Sequence, residues 1–94
     1  MKVSLLTVSF RLGGCRSLKE KRQRLKGIRE RFGKATNVAV CESGSQDSLQ
    51  SSQWSFLATA ADADVVERSL SDILERLQSS VDAELVAVQK ERLV

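Results

Sequence analysis

Three segments of the chain alternate apolar and polar positions with a period of two, which is typical of half-buried strands. The alternation predicts strands over Lys2 to Leu12, Thr36 to Ser43 and Gln53 to Ala61. A fourth strand is predicted over Ala83 to Lys90, where four consecutive apolar residues indicate burial on both faces.

Two other segments place apolar residues at helical spacing. The first helix begins at the capping box Ser17-Leu18-Lys19-Glu20 and extends to about Phe32, with Gly33 as its left-handed stop. The second is capped by Asp62 or Asp64 and extends to about Ser79. The predicted apolar stripes are Leu18, Leu25, Ile28 and Phe32 in the first helix and Val66, Leu70, Ile73, Leu74 and Leu77 in the second.

The order of these elements is strand, helix, strand, strand, helix, strand. The polar stretch from Glu42 to Ser52 connects the two central strands as a hairpin. Two right-handed crossovers joined by a hairpin predict a ferredoxin-like α+β sandwich, with a four-stranded antiparallel sheet and both helices on one face. With 94 residues and no strong linker or repeat, the whole chain 1–94 is expected to form a single domain.

A two-layer sandwich leaves one face of the sheet open. Because Phe10, Trp54 and Phe56 are expected to point toward the helices, the open face has no aromatic side chain on which bases could stack. We therefore expect this face either to meet solvent or to pair with a second copy in a homodimer. The residues predicted on it are Val3, Leu5, Thr7, Ser9, Arg11, Ala39, Cys41, Ser55, Leu57 and Thr59.

Composition argues against several kinds of chemistry. The chain has no histidine, which removes the commonest general base and metal ligand, and its two cysteines cannot form a structural zinc site alone. A cysteine phosphatase would need arginine six positions after Cys15, where Lys21 stands instead. We therefore expect a non-enzymatic protein without metal, cofactor or catalytic residue. Neither a secretory signal nor a membrane-spanning run is recognisable, so the expected location is cytoplasmic, with free thiols.

Charge is concentrated in one part of the chain. The formal net charge is +3, but residues 11–34 contain ten basic and two acidic side chains, whereas residues 35–94 contain four basic and ten acidic ones. Such asymmetry indicates an acidic partner for the first helix. The alternative is a solvated helix face whose charges only keep the protein soluble.

The first helix carries the candidate site. Lys21 falls inside the apolar stripe, so its ammonium is expected to reach back to the loop at Gly13-Gly14, where free helix amides could also hold a small anion. Cations along one edge of the helix suit the phosphate backbone of RNA. The predicted contacts are Arg16, Ser17, Lys19, Lys21, Arg22, Lys26 and Arg29.

The run Arg-Ser-Leu-Lys-Glu-Lys-Arg at positions 16–22 resembles the signature of the YlxP-like proteins, a small bacterial family of unknown function. The resemblance continues through Asn37–Val40, the Gln46-Asp47 pair and Asp62, but Leu49 stands where the family often has an aromatic residue. It implies a ferredoxin-like fold. Because such genes often neighbour translation-initiation and ribosome-binding-factor genes, it also implies a role close to RNA or the ribosome. No catalytic residue is carried over.

Overall fold

A computed structural model describes residues 1–94 and has the predicted order of strands and helices, except that two short helices replace the first predicted helix. The strands form one antiparallel sheet in the order β2-β3-β1-β4, and the helices cover one face of it, which is the ferredoxin-like arrangement. The elements are β1 (Lys2–Arg11), α1 (Leu18–Arg24), α2 (Ile28–Phe32), β2 (Val38–Gly44), β3 (Ser51–Ala60), α3 (Ala63–Ser80) and β4 (Glu84–Arg92).

The core lies between the sheet and the helices, as the alternation predicts. Phe32 from α2 meets Phe56 from β3 edge to face, with ring centroids 5.8 Å apart, which is a favoured aromatic geometry. Asp62 caps α3 by accepting a hydrogen bond from the amide of Asp64. The buried apolar residues are Leu6, Val8, Phe10, Leu12, Cys15, Leu25, Ile28, Phe32, Trp54, Phe56, Ala58, Val66, Leu70, Ile73 and Leu77.

The prediction of one continuous first helix is wrong, because the chain breaks between α1 and α2. Gly27 adopts a left-handed φ of 96°, which a helix interior does not allow. Gly33, predicted as the left-handed stop, has an ordinary φ of −77°; glycine is needed there because a Cβ would lie 2.5 Å from the Arg29 carbonyl oxygen. Leu25 and Ile28 stay buried across the break.

Two further expectations about burial are wrong. Leu18, predicted in the apolar stripe, is 46% exposed. In β4, Val86 and Val88 are also largely exposed, because β4 is an edge strand paired only with β1, while α3 packs over β3 and β1. A bulge beside Ser9 also leaves Val86 without a pairing partner on β1. A run of apolar residues therefore does not establish burial on both faces here.

We predict that Gly27→Ala lowers the free energy of unfolding by about 1–2 kcal/mol, the cost of a left-handed backbone for an L-residue. The cost comes from the backbone conformation, because the nearest atom to an added Cβ is a terminal nitrogen of Arg31 at 3.8 Å. Gly13→Ala is the control, since Gly13 lacks a positive φ and has open space around it. Equal urea midpoints for the two variants would contradict this account.

Candidate nucleic-acid interface

A groove of about 470 Å³ lies between the broken first helix and the β2–β3 hairpin. Arg22, Lys26 and Arg29 line its helical side, and Gln46 lines the side formed by the hairpin loop. Trp54 from β3 also contributes to the lining. Lys21 lines it as well, so the groove brings together four of the cations predicted to contact phosphate.

The break at Gly27 positions these cations. Arg22 lies on α1, Lys26 lies in the connecting turn and Arg29 lies on α2, yet all three line the same groove. The turn is held by the amide of Lys26, which donates to the carbonyl of Gln23 at 3.3 Å. The local backbone conformation thus shapes the cationic surface.

Beside the groove, a buried network joins α1 to the hairpin. The indole N–H of Trp54 donates to Ser52 Oγ at 2.8 Å, and this hydroxyl donates to Glu42 Oε2 at 2.6 Å. Glu42 also pairs with the ammonium of Lys21, with 3.2 Å between Nζ and Oε2. Because Lys21 and Ser52 are buried, these bonds form in a medium where they are stronger than in water.

Lys21 binds the hairpin loop and does not reach the glycine loop, so the sequence-based prediction of its direction is wrong. Its ammonium donates to the carbonyls of Ser45 at 2.9 Å and Ser48 at 2.8 Å, in addition to its contact with Glu42. An ammonium has three donors, and these three partners occupy all of them. Lys21 therefore has no donor left for a phosphate. Its buried ammonium instead binds α1 to the β2–β3 hairpin.

Arg29 is held over an aromatic ring. Its guanidinium carbon lies 5.8 Å from the centroid of the Trp54 ring, within the range of a cation–π contact. Trp54 is only 6% exposed, whereas Arg29 is exposed and lines the groove. Arg29 therefore contacts the ring and remains accessible from the groove.

Apart from Lys21, the cations on the groove lining lack carboxylate partners. Arg22, Lys26 and Arg29 form no ion pair within the protein, and the remaining carboxylate on the groove lining, apart from the Lys21-bound Glu42, belongs to Glu30. Elsewhere on this helix, Arg24 contrasts with them. Its side chain is paired with Glu20 and Asp82 and also donates to the carbonyl of Gly13.

The other predicted contacts lie at the start of α1, outside the groove lining. Arg16 and Lys19 are exposed there, and neither has an ion-pair partner. Ser17 caps the helix, because its Oγ accepts from the amide of Glu20 at 3.0 Å as the sequence predicts. Cys15, beside them, is 1% exposed, and its thiol donates to the Ser17 carbonyl.

Sequence reasoning missed Glu42, Ser52, Gln46 and Trp54 as parts of the site. A signal for Glu42 was available, since it alternates with Val38 and Val40 and therefore points toward the helices. A carboxylate and a lysine both in predicted core positions indicate a pair. The contribution of Gln46 had no such signal, because it depends on how the hairpin loop folds.

Within the chain, the helices leave the second face of the sheet uncovered. Leu5 lies opposite Leu57, and Leu57 lies opposite Ala39, which makes an apolar row across three strands. Leu57 is 38% exposed. On one side of this row the hydroxyl of Ser55 donates to Ser43 Oγ at 2.7 Å.

Residues 3–90 match a family described as "Protein of unknown function (DUF503)". No curated protein shows significant sequence similarity to this chain. No helix of the protein is both long enough and apolar enough to cross a membrane.

Solved structures share the fold. A structural-genomics protein named YJCS is 10% identical with a TM-score of 0.62, over 98% of this chain and 99% of that one. The designed protein Foldit4 is 14% identical with a TM-score of 0.58, and the match covers 100% of this chain and 98% of that one. A VAO-type flavoprotein from Myceliophthora thermophila C1 is 19% identical with a TM-score of 0.58, but the match spans 16% of its length. At these identities the similarity establishes the fold alone.

We predict that Lys21→Met lowers the free energy of unfolding by about 3 kcal/mol, because it leaves two carbonyls and a partly buried carboxylate without their cation. Lys19→Met is the matched control on the same helix and should change stability by less than about 0.5 kcal/mol. Chemical denaturation measures both. A loss for Lys21→Met no larger than that of the control would show that the buried pair does not stabilise the fold.

Proposed function

The chain belongs to the DUF503 family of proteins of unknown function, and we propose that it is a non-enzymatic RNA-binding protein that acts at or near the ribosome. Its contacts with the phosphate backbone are made by Arg22, Lys26 and Arg29. The observation that carries the proposal is that these three exposed cations line one groove without an internal ion-pair partner. Exposed cations without an internal partner are available to an external polyanion.

The surrounding charge supports the same partner. Of the ten basic residues in positions 11–34, Arg11, Lys21 and Arg24 pair with carboxylates of the protein. The cations with no such partner are Arg16, Lys19, Arg22, Lys26, Arg29, Arg31 and Lys34. Cations that neutralise phosphates release counterions from the nucleic acid, so their binding free energy depends strongly on salt.

The resemblance of residues 16–22 to the YlxP-like signature supports a partner in translation and, with it, a cytoplasmic location. Within the proposal, Arg16 and Lys19 extend the contact beyond the groove, Ser17 serves as the helix cap, and Lys21 shapes the groove from within. No catalytic step is proposed. The thiol nearest the helix start belongs to Cys15, which is buried and engaged with a backbone carbonyl.

We predict that the double variant Arg22→Ala/Lys26→Ala weakens binding to single-stranded RNA and lowers the magnitude of the log–log salt slope by about 1.4, or about 0.7 per lost phosphate contact. The matched control is Arg31→Ala/Lys34→Ala, which removes the same charge from the same basic segment but outside the groove. Fluorescence anisotropy across a salt series measures both slopes.

A third pair, Arg16→Ala/Lys19→Ala, tests the start of α1 with the same change in charge. The groove variant should weaken binding most, and the control should leave the slope nearly unchanged. Equal losses of RNA affinity in all three variants would mean that the basic segment acts only through its total charge. An affinity that does not depend on salt would contradict the proposal.

A second candidate function is a homodimeric regulatory or scaffolding module, and the apolar row Leu5–Leu57–Ala39 on the open sheet face favours it. Burying this row against a second copy would stabilise the dimer by roughly 25 cal/mol per Å² of apolar surface removed from water. In this function the basic helix would have no binding role.

This candidate predicts a mass of twice the 10.4 kDa chain in light scattering. Leu57→Asp should return the mass to that of one chain, because it places a carboxylate in the middle of the apolar row. Ser43→Asp is the control, since Ser43 is also exposed on the sheet but outside that row. A monomeric wild-type protein, or a dimer that survives Leu57→Asp, would exclude pairing through this face.

A further inference from the structure

We propose that the groove accepts an unpaired nucleotide of single-stranded RNA, with its base stacked on the guanidinium of Arg29 and its flanking phosphates bound by Arg22 and Lys26. This inference rests on the proposed RNA-binding function and adds the class of RNA that is bound. It depends on three features of the groove, which are its shape, the position of Arg29 and the free polar groups of Gln46.

The shape of the groove favours a single nucleotide over a duplex. Its volume of about 470 Å³ lies within the range of small-ligand pockets, roughly 300–1,000 Å³. Gln46 on the hairpin loop and Arg22 on α1 both line it, so two separate segments of the chain enclose one concavity that carries cations. A double helix would have to contact such a site from outside, whereas an unpaired base can enter it.

Arg29 supplies a surface on which a base can stack. Bases of single-stranded RNA stack on aromatic rings and on arginine guanidinium planes. The Trp54 ring supports Arg29 from one side at 5.8 Å and is itself held by its N–H bond to Ser52. Arg29 therefore contacts a buried ring while it stays exposed, and a side chain that is already restricted on one side loses less conformational entropy on binding.

Arg22 and Lys26 supply charge for the backbone of the bound strand. They lie four positions apart and line the groove on the same side as Arg29. Neither is neutralised by a carboxylate of the protein. Phosphates on either side of a stacked base can therefore meet cations without breaking an existing ion pair.

Gln46 offers hydrogen bonds to the edge of the base. Its Nε2 donates to the carbonyl of Glu42 at 3.1 Å, which fixes the side chain at the groove wall. One N–H of the amide and its carbonyl oxygen are left for a ligand. The buried bonds of Lys21 to Ser45 and Ser48 hold the loop that carries Gln46.

The test compares three RNA probes of equal length by fluorescence anisotropy at one salt concentration: a single strand, its duplex, and the same single strand with abasic residues. We expect the single strand to bind roughly ten-fold more tightly than either the duplex or the abasic strand, which is the size of effect that loss of base stacking produces. Equal affinity for the single and abasic strands would overturn the inference.

Arg29→Lys separates stacking from charge. The variant keeps the positive charge, so its salt slope should match that of the wild type, but it loses the planar group and should bind the normal and abasic strands alike. Arg22→Lys is the matched control and should keep the preference for the normal strand, because Arg22 is proposed to contact phosphate only. A preference that survives Arg29→Lys would contradict the proposed stacking.

These outcomes separate this inference from the proposed function. Duplex and abasic probes could bind as well as the single strand while Arg22→Ala/Lys26→Ala still lowers the salt slope. In that case the groove binds RNA, but the proposal of a stacked nucleotide is wrong. If none of the probes binds, both the proposed RNA-binding function and the stacked-nucleotide inference are wrong.

Discussion

The buried pair between Lys21 and Glu42 is the interaction on which the site depends. It connects the first turns of α1 with the inward face of β2, and the same ammonium binds two carbonyls of the hairpin loop. A buried charge is costly unless it is paired and fully hydrogen-bonded, and here each donor of the ammonium has a partner. The pair therefore fixes the distance between helix and hairpin, and the groove is the space between them.

The basic segment performs two different tasks, although it looks uniform in the sequence. Some of its cations hold the protein together, as Arg24 does through Asp82 and the Gly13 carbonyl. Others, including Arg22 and Arg29, lack such partners and line the groove. The left-handed turn at Gly27 separates the two helical pieces that carry them. Charge counting alone thus overstates the part of the segment that is available to a ligand.

The fold was predictable from alternation and helical spacing, because β1, β3 and α3 each bury one face and the order of elements permits few topologies. The break at Gly27 was not predictable, since a single glycine within a helical pattern is usually tolerated. The exposure of Val86 and Val88 was not predictable either, because it follows from the edge position of β4 and not from its residues. The cations of the site could be predicted from the sequence. The direction of the Lys21 side chain could not, because it depends on where the hairpin loop packs.

A titration of the labelled protein with single-stranded RNA, followed by NMR, tests the central claim most directly. If the groove built by Lys21 and Glu42 is the binding surface, the shifted signals will be the amides of the turn around Lys26, the side-chain amide of Gln46 and the indole N–H of Trp54. The signals of the open sheet face, such as Leu5 and Leu57, will stay in place. Shifts confined to the sheet face, with the Trp54 indole signal unmoved, would contradict the account.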